Sequence, residues 1–203
     1  MQAEHPIVYI LDDDFRIREA LVSLFESVGH VAIAFELASE YLTYKRPNTI
    51  SCLILDLDLP GMSGLELQEE IAGTDAPPII FLTGQGDIPS SVKAMKAGAV
   101  EFLLKPFDEE DLLRAVESAF ELDRQRRIKG DELTELKKRY ASLSPREREV
   151  LPLVVSGLPN KQTAAELGKS QITVQVQRGR IMKKMAAESL ANLVKMATKL
   201  GIE

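Results

Sequence analysis

The sequence predicts an α/β, doubly wound parallel sheet of five strands, then an all-α unit of four helices, with a long helical segment joining them. Three observations carry this. Short apolar runs alternate with amphipathic stretches through residues 1–122, as in βαβ units whose sheet is covered on both faces. After Leu122 the alternation stops and capped helical segments follow one another. Charge divides at the same place. Residues 1–122 carry 22 acidic and 8 basic side chains, net −14, and residues 123–203 carry 9 and 17, net +8.

The elements follow in order. Ile7–Leu11 is the first strand, and residues 15–29 place Phe15, Leu21, Leu24, Phe25 and Val28 at helical spacing. Val31–Phe35 is the second strand, followed by a short helix near 37–44. Residues 51–59 hold the third strand and 65–73 its helix. Residues 77–84 hold the fourth strand and 88–99 its helix, and 100–104 and 108–122 complete the series. Gly29, Gly73 and Gly98 stand where helices should end, because the left-handed residue after a helix favours glycine. Residues 121–143 are charged, with a sparse apolar thread at Ile128, Leu133, Leu136 and Tyr140, and read as an exposed linker helix weakened or kinked near Gly130. Ser144-Pro145-Arg146-Glu147 is a capping box with proline in the first turn. That helix runs to about Ser156. Asn160 is expected to cap the second helix and Ser170 the third, from Gln171 to about Met185. Ser189 to Leu200 is the fourth.

Composition excludes several classes. The longest apolar runs are far short of the about 20 residues a membrane helix needs, and the N-terminus has no basic region followed by an apolar core. The single cysteine, Cys52, can make neither an internal disulfide nor a thiolate cage, and His5 and His30 have no ligand spacing. A cytoplasmic protein with no membrane partner is expected. The acidic half does not seek nucleic acid, whereas the basic half can, since each neutralised phosphate releases a counterion.

Doubly wound sheets bind ligands at the carboxyl ends of their strands. Here those ends carry Asp12-Asp13-Asp14, then Asp56, then Thr83, then Lys105-Pro106. Singly, each has an ordinary reading as a solvated loop or strand terminator, and Phe102 is ordinary core. Together they gather carboxylates that repel one another unless a cation joins them. Hard carboxylate oxygens suit Mg²⁺, which favours a phosphate as co-ligand. An aspartate beside it can attack a phosphoryl group, and a hydroxyl and an ammonium can hold the phosphoryl oxygens.

The segments ILDDD, LDLDLPGMSG, FLTG and EFLLKPF resemble the receiver domain of bacterial two-component response regulators, a (βα)5 fold. The resemblance covers about residues 1–122. It implies Asp56 as phosphoacceptor and a metal site of Asp12, Asp13, Asp56 and the backbone carbonyl of Asp58, with Asp13 the direct ligand. It further implies Thr83 and Lys105 on the phosphoryl group, Phe102 as the switch aromatic, and a cis peptide before Pro106. Asp14 is left as helix-start chemistry. Asp56-Leu57-Asp58 also fits the DxD of haloacid-dehalogenase-type phosphatases. In that class the motif opens the fold, whereas here an acid pair precedes it and Leu59 stands where Thr or Val is usual. An enzyme is therefore not expected.

In the basic half, REREVL, SGLPNK, AAELG, TVQVQR, IMKKM and SLANLVKMA resemble the LuxR/NarL/FixJ-type helix-turn-helix over 143–200. Expected DNA contacts are Lys161, Gln175, Val176, Gln177, Arg178, Arg180, Lys183 and Lys184. Glutamine can read adenine edges, and arginine guanine or phosphate. Ile172, Val174, Ile181 and Met185 are assigned to packing. The departures are Gln177, where many members carry His, Gly179, where a long basic side chain is common, and Thr163 and Lys169, at positions often aliphatic. The whole resembles a FixJ-type regulator with domains 1–122, 123–142 and 143–203. Its implied partners are a sensor histidine kinase, promoter DNA, RNA polymerase and, on phosphorylation, a second copy of itself. A regulator that binds DNA without phosphorylation is the alternative.

Overall fold

The computed structural model describes residues 5–84 and 88–202. The chain divides into two compact units, 1–126 and 127–203. The first holds β1 (Ile7–Leu11), α1 (Phe15–Ser27), β2 (Val31–Phe35), α2 (Ala38–Thr43), β3 (Ser51–Asp56), α3 (Gly64–Ile71), β4 (Ile79–Thr83), α4 (Ile88–Lys96), β5 (Glu101–Leu104) and the start of α5 (Glu109–Ala141). All pairings are parallel and the strand order is β2-β1-β3-β4-β5.

Alternate residues of each inner strand feed two cores, because successive side chains point to opposite faces. Tyr9, Leu11, Leu53, Leu55 and Phe81 pack with Tyr41, Leu67, Ile71 and Ala94 on one face. Val8, Ile10, Cys52, Ile54, Ile80 and Leu82 pack with Leu21, Phe25, Leu112, Val116 and Phe120 on the other. Each fully buried Leu, Ile or Phe contributes about 1.5–3 kcal/mol. Gly29, Gly73 and Gly98 take φ values of 85°, 76° and 93° at the helix ends.

The second unit is helical: the end of α5, then α6 (Pro145–Val155), α7 (Asn160–Glu166), α8 (Gln171–Met185) and α9 (Leu190–Lys199). Ser144 and Glu147 form the expected capping box around α6. Pro159, not Asn160, occupies the N-cap of α7, and Asn160 is its first helical residue. Val150, Leu151, Val154, Val174, Ile181, Met185 and Leu193 form the core, joined by Leu136 and Leu143.

Helix α5 is one helical span that includes Gly130. A helical glycine costs about 1 kcal/mol relative to alanine. Burial of Val116 and Phe120 in the first unit and of Leu136 in the second outweighs that at both ends of the helix. Asp123 adds a polar anchor, its buried carboxylate accepting from Ser51 N at 3.0 Å. Among the described residues no helix is long and apolar enough to cross a membrane.

Candidate functional site

The register of the sheet assembles the acidic site. Leu11 pairs with Leu55, and Asp56 with Leu82, so Asp12 and Asp56 emerge side by side at the strand ends. Both are buried, Asp12 at 2% and Asp56 at 6% exposure. Asp13 is exposed, yet carboxylate oxygens of Asp12, Asp13 and Asp56 lie within 4.8 Å of one another. Lys105 reaches over them, its Nζ 2.6 Å from Asp12 Oδ2 and 2.6 Å from Asp56 Oδ2. The other Asp56 oxygen accepts from Asp58 N at 3.2 Å. Burial raises the Asp12 pKa despite Lys105 and the Asp14 amide. Burial alone would lower the Lys105 ammonium, but its hydrogen bonds to Asp12 and Asp56 prevail and raise it. Three hard-oxygen ligands, one open to solvent, fit Mg²⁺.

Second-line contacts hold the cluster. Asp14 caps α1, Oδ1 accepting from Arg16 N at 2.8 Å. Arg18 donates to Asp12 O at 2.7 Å and pairs with Glu36 at 3.2 Å. Gly64 opens α3 directly against Asp56: a Cβ there would lie 2.3 Å from the Asp56 carbonyl oxygen. Thr83 is fully buried at the end of β4. Lys105 N donates to Thr83 O at 2.7 Å, and Lys105-Pro106 is cis. Phe102 is half-buried, its ring 6.1 Å from that of Phe81. Geometry thus gathers Asp12, Asp13, Asp56, Asp58, Thr83 and Lys105 at the carboxyl ends of the strands, with Phe102 on β5.

The basic surface is rearranged relative to expectation. Helix α8 starts at Ser170, whose Oγ accepts from Thr173 N at 3.1 Å. Its inward face is Val174, Gln177, Ile181 and Met185. Gln177 is only 7% exposed and is corrected from groove contact to inner face. Its spacing of three from Val174 and four from Ile181 already carried that signal. Lys184 is exposed but engaged within the unit. Its Nζ lies 2.7 Å from Glu147 Oε2 and 3.1 Å from Ser142 O, so it ties α8 to the start of α6. The Lys184 hydrogen bond, with the Ser144 cap, holds the Glu147 carboxyl below its ordinary range. Arg178 is half-buried and donates to Asn160 Oδ1 at 3.2 Å, bracing α8 against α7. Ile172, assigned to packing, is 75% exposed. Lys161, Gln175, Val176, Arg180 and Lys183 are exposed. The Lys184–Glu147 and Arg178–Asn160 pairs span 37 and 18 residues, which helical periodicity does not reach.

Comparison with known proteins follows the same division. The family model for the response regulator receiver domain matches residues 8–117, and that for bacterial regulatory proteins of the luxR family matches 141–197. The chain is 51% identical over 197 residues to nodulation protein W of Bradyrhizobium diazoefficiens, covering 97% of this chain and 87% of that one. It is 41% identical to the transcriptional regulatory protein FixJ of Azorhizobium caulinodans, covering 96% and 93%. Among solved structures it resembles the response regulator StyR, with a TM-score of 0.83, 46% identity, and coverage of 96% and 99%.

Proposed function

Since the chain belongs to the FixJ/NarL-type response regulators and is a DNA-binding transcriptional regulator, we propose that a sensor histidine kinase transfers a phosphoryl group to Asp56 and that this controls DNA binding by the second unit. The observation that carries the reading is the placement of Asp56. It is recessed beside the carboxylates of Asp12 and Asp13, with Lys105 2.6 Å away. In the transfer an Asp56 carboxylate oxygen attacks phosphorus, the P–N bond of the phosphohistidine breaks, and an acyl phosphate forms.

Asp12, Asp13 and Asp56, with the Asp58 backbone carbonyl, would hold Mg²⁺. That ion supplies charge neutralisation for the carboxylates and the phosphoryl oxygens when bound. Lys105 bridges Asp12 and Asp56 before transfer and turns to a phosphoryl oxygen after it. Thr83, buried beside it, donates its hydroxyl to another, and Phe102 follows the movement of β4. The two conformations exist before transfer, and the acyl phosphate shifts their populations.

The same switch bears on self-association. Helix α4 exposes Ile88, Val92 and Met95, and β5 exposes Leu104. This apolar face lies beside Thr83 and Phe102 and is the dimer surface in this reading. Lys93, also on α4, is engaged with Glu69 at 2.9 Å and is a poor probe of it. A dimer places two copies of α8 on two half-sites, where RNA polymerase would read the outcome.

The test is intact mass after acetyl phosphate and Mg²⁺, with light scattering on the same sample. One phosphoryl group per chain and a doubled particle mass are expected. Asp56→Asn should show neither, and Val92→Glu should gain the group without doubling. A full mass gain in Asp56→Asn would remove Asp56 from the role.

A further inference from the structure

The inward residues of α8 fix which side of the helix is free. Val174, Gln177, Ile181 and Met185 are buried. At about 100° per residue, the opposite side is centred on Ile172, Val176, Gly179 and Lys183. Gln175 and Arg180 flank this line on either side. Ile172 is 75% exposed and Val176 47%. They stand four residues apart, so their side chains are neighbours on one face. Gly179 continues the line with no side chain, and the space where its Cβ would stand is open. The middle of the outward face therefore has no side-chain hydrogen-bonding group until Lys183.

We propose that Ile172 and Val176 form an apolar reading element that recognises thymine 5-methyl groups on the floor of the DNA major groove. The inference rests on α8 being the DNA-reading helix. An isoleucine left this exposed forgoes about 1.5–3 kcal/mol of burial. Of the chemistry displayed in a major groove, the thymine methyl is the apolar group. Charge argues for the same occupant: Arg180 and Lys183 follow on α8 and Lys161 stands exposed on α7, in a half of the chain with net charge +8. These cations meet phosphates and set register. Ile172 lies in the first turn, next to the Ser170 cap, where recognition helices meet base edges. Gln175 then reads a polar edge alongside the methyl contacts.

The experiment replaces thymine by deoxyuridine, which deletes the methyl and leaves every hydrogen-bonding edge unchanged. A binding duplex is first recovered from a random pool with the full-length chain treated with acetyl phosphate and Mg²⁺. Each thymine is then exchanged singly, and affinity is measured by fluorescence anisotropy for the parent chain, Ile172→Ala and Val176→Ala. One or two positions per half-site are expected to lose about fourfold in affinity with the parent, the value of one buried methyl. Ile172→Ala or Val176→Ala should bind the thymine and deoxyuridine duplexes at such a position equally. Both side chains are exposed, so the variants keep the fold, checked by circular dichroism. A parent indifferent to every exchange, or a loss that persists undiminished in both variants, overturns the proposal. Failure of the parent to retain any duplex would instead overturn the DNA-reading role of this unit, and this proposal with it.

Discussion

In the strand-end site Asp12, Asp56 and Thr83 are recessed, and Lys105 holds the two aspartates. On α8, Gln175, Arg180 and Lys183 are exposed and make no hydrogen bond or ion pair among the described residues. Lys105 bridges Asp12 and Asp56 at 2.6 Å each. Gln175, Arg180 and Lys183 point away from the domain. A preorganised acid cluster orients one small group at one atom. A binding helix must keep its readers free, because any partner within the domain competes with the nucleic acid. The difference teaches that charge alone does not assign a residue to the DNA surface. Lys183 and Lys184 are adjacent and identical, yet only Lys184 is committed to Glu147.

Breaking the held region gives the largest expected effect. Gly64→Ala places a methyl against the Asp56 carbonyl. Backbone has to move, at a cost of about 1–3 kcal/mol. Phosphoryl uptake followed by intact mass should slow markedly, and the first unit should unfold at lower temperature. Unchanged uptake would mean that the contact between α3 and Asp56 does not position the acceptor.

The lysine pair sharpens the comparison. Lys184→Ala leaves the Glu147 carboxylate, 4% exposed, without its counter-charge, and is expected to cost about 2 kcal/mol of second-unit stability in thermal denaturation. Lys183→Ala should leave stability unchanged and reduce the slope of log affinity against log salt by about one unit. An exchange of these two phenotypes would reverse the assignment.

Gln175→Ala is next, at about 1–2 kcal/mol of binding and a relaxed preference at one base pair, read from anisotropy across single-base variants. The smallest effect is a pH dependence. The Glu147 pKa is lowered in the folded state. Its contribution is therefore present above the unfolded value and lost as pH falls through the folded one. The second-unit transition should move to lower temperature below about pH 4. In Glu147→Gln, which keeps an acceptor for the Ser144 cap, that dependence should weaken. An unaltered pH profile would separate Glu147 from the acid response.

The two regions also differ in how far they are readable from residue order. The strand-end site is legible because topology places its residues. Each of Asp12, Asp56, Thr83 and Lys105 ends or follows an apolar run, and parallel pairing then brings these ends together. The capping boxes at Ser63 and Ser144 are local and equally readable. What escapes is long-range. The pairing of Lys184 with Glu147 depends on how α8 packs on α6, and exposure of Ile172 depends on which side of α8 meets the core. The single helical span of α5 likewise depends on Leu136 finding a core in the second unit, which outweighs the local effect of Gly130. Periodicity did mark Gln177 as inward, since it shares the spacing of Val174 and Ile181.

In the proposed mechanism Asp56 in the acidic unit governs DNA binding by the basic one. The direct measurement is anisotropy of a fluorescent duplex selected by this chain, titrated with the full-length protein before and after acetyl phosphate and Mg²⁺, beside Asp56→Asn treated identically. Phosphorylation should tighten binding by about tenfold or more in the parent, a coupling of about 1.4 kcal/mol, and leave Asp56→Asn unmoved. Equal affinity of the parent before and after treatment, with mass confirming that Asp56 carries the phosphoryl group, would contradict it.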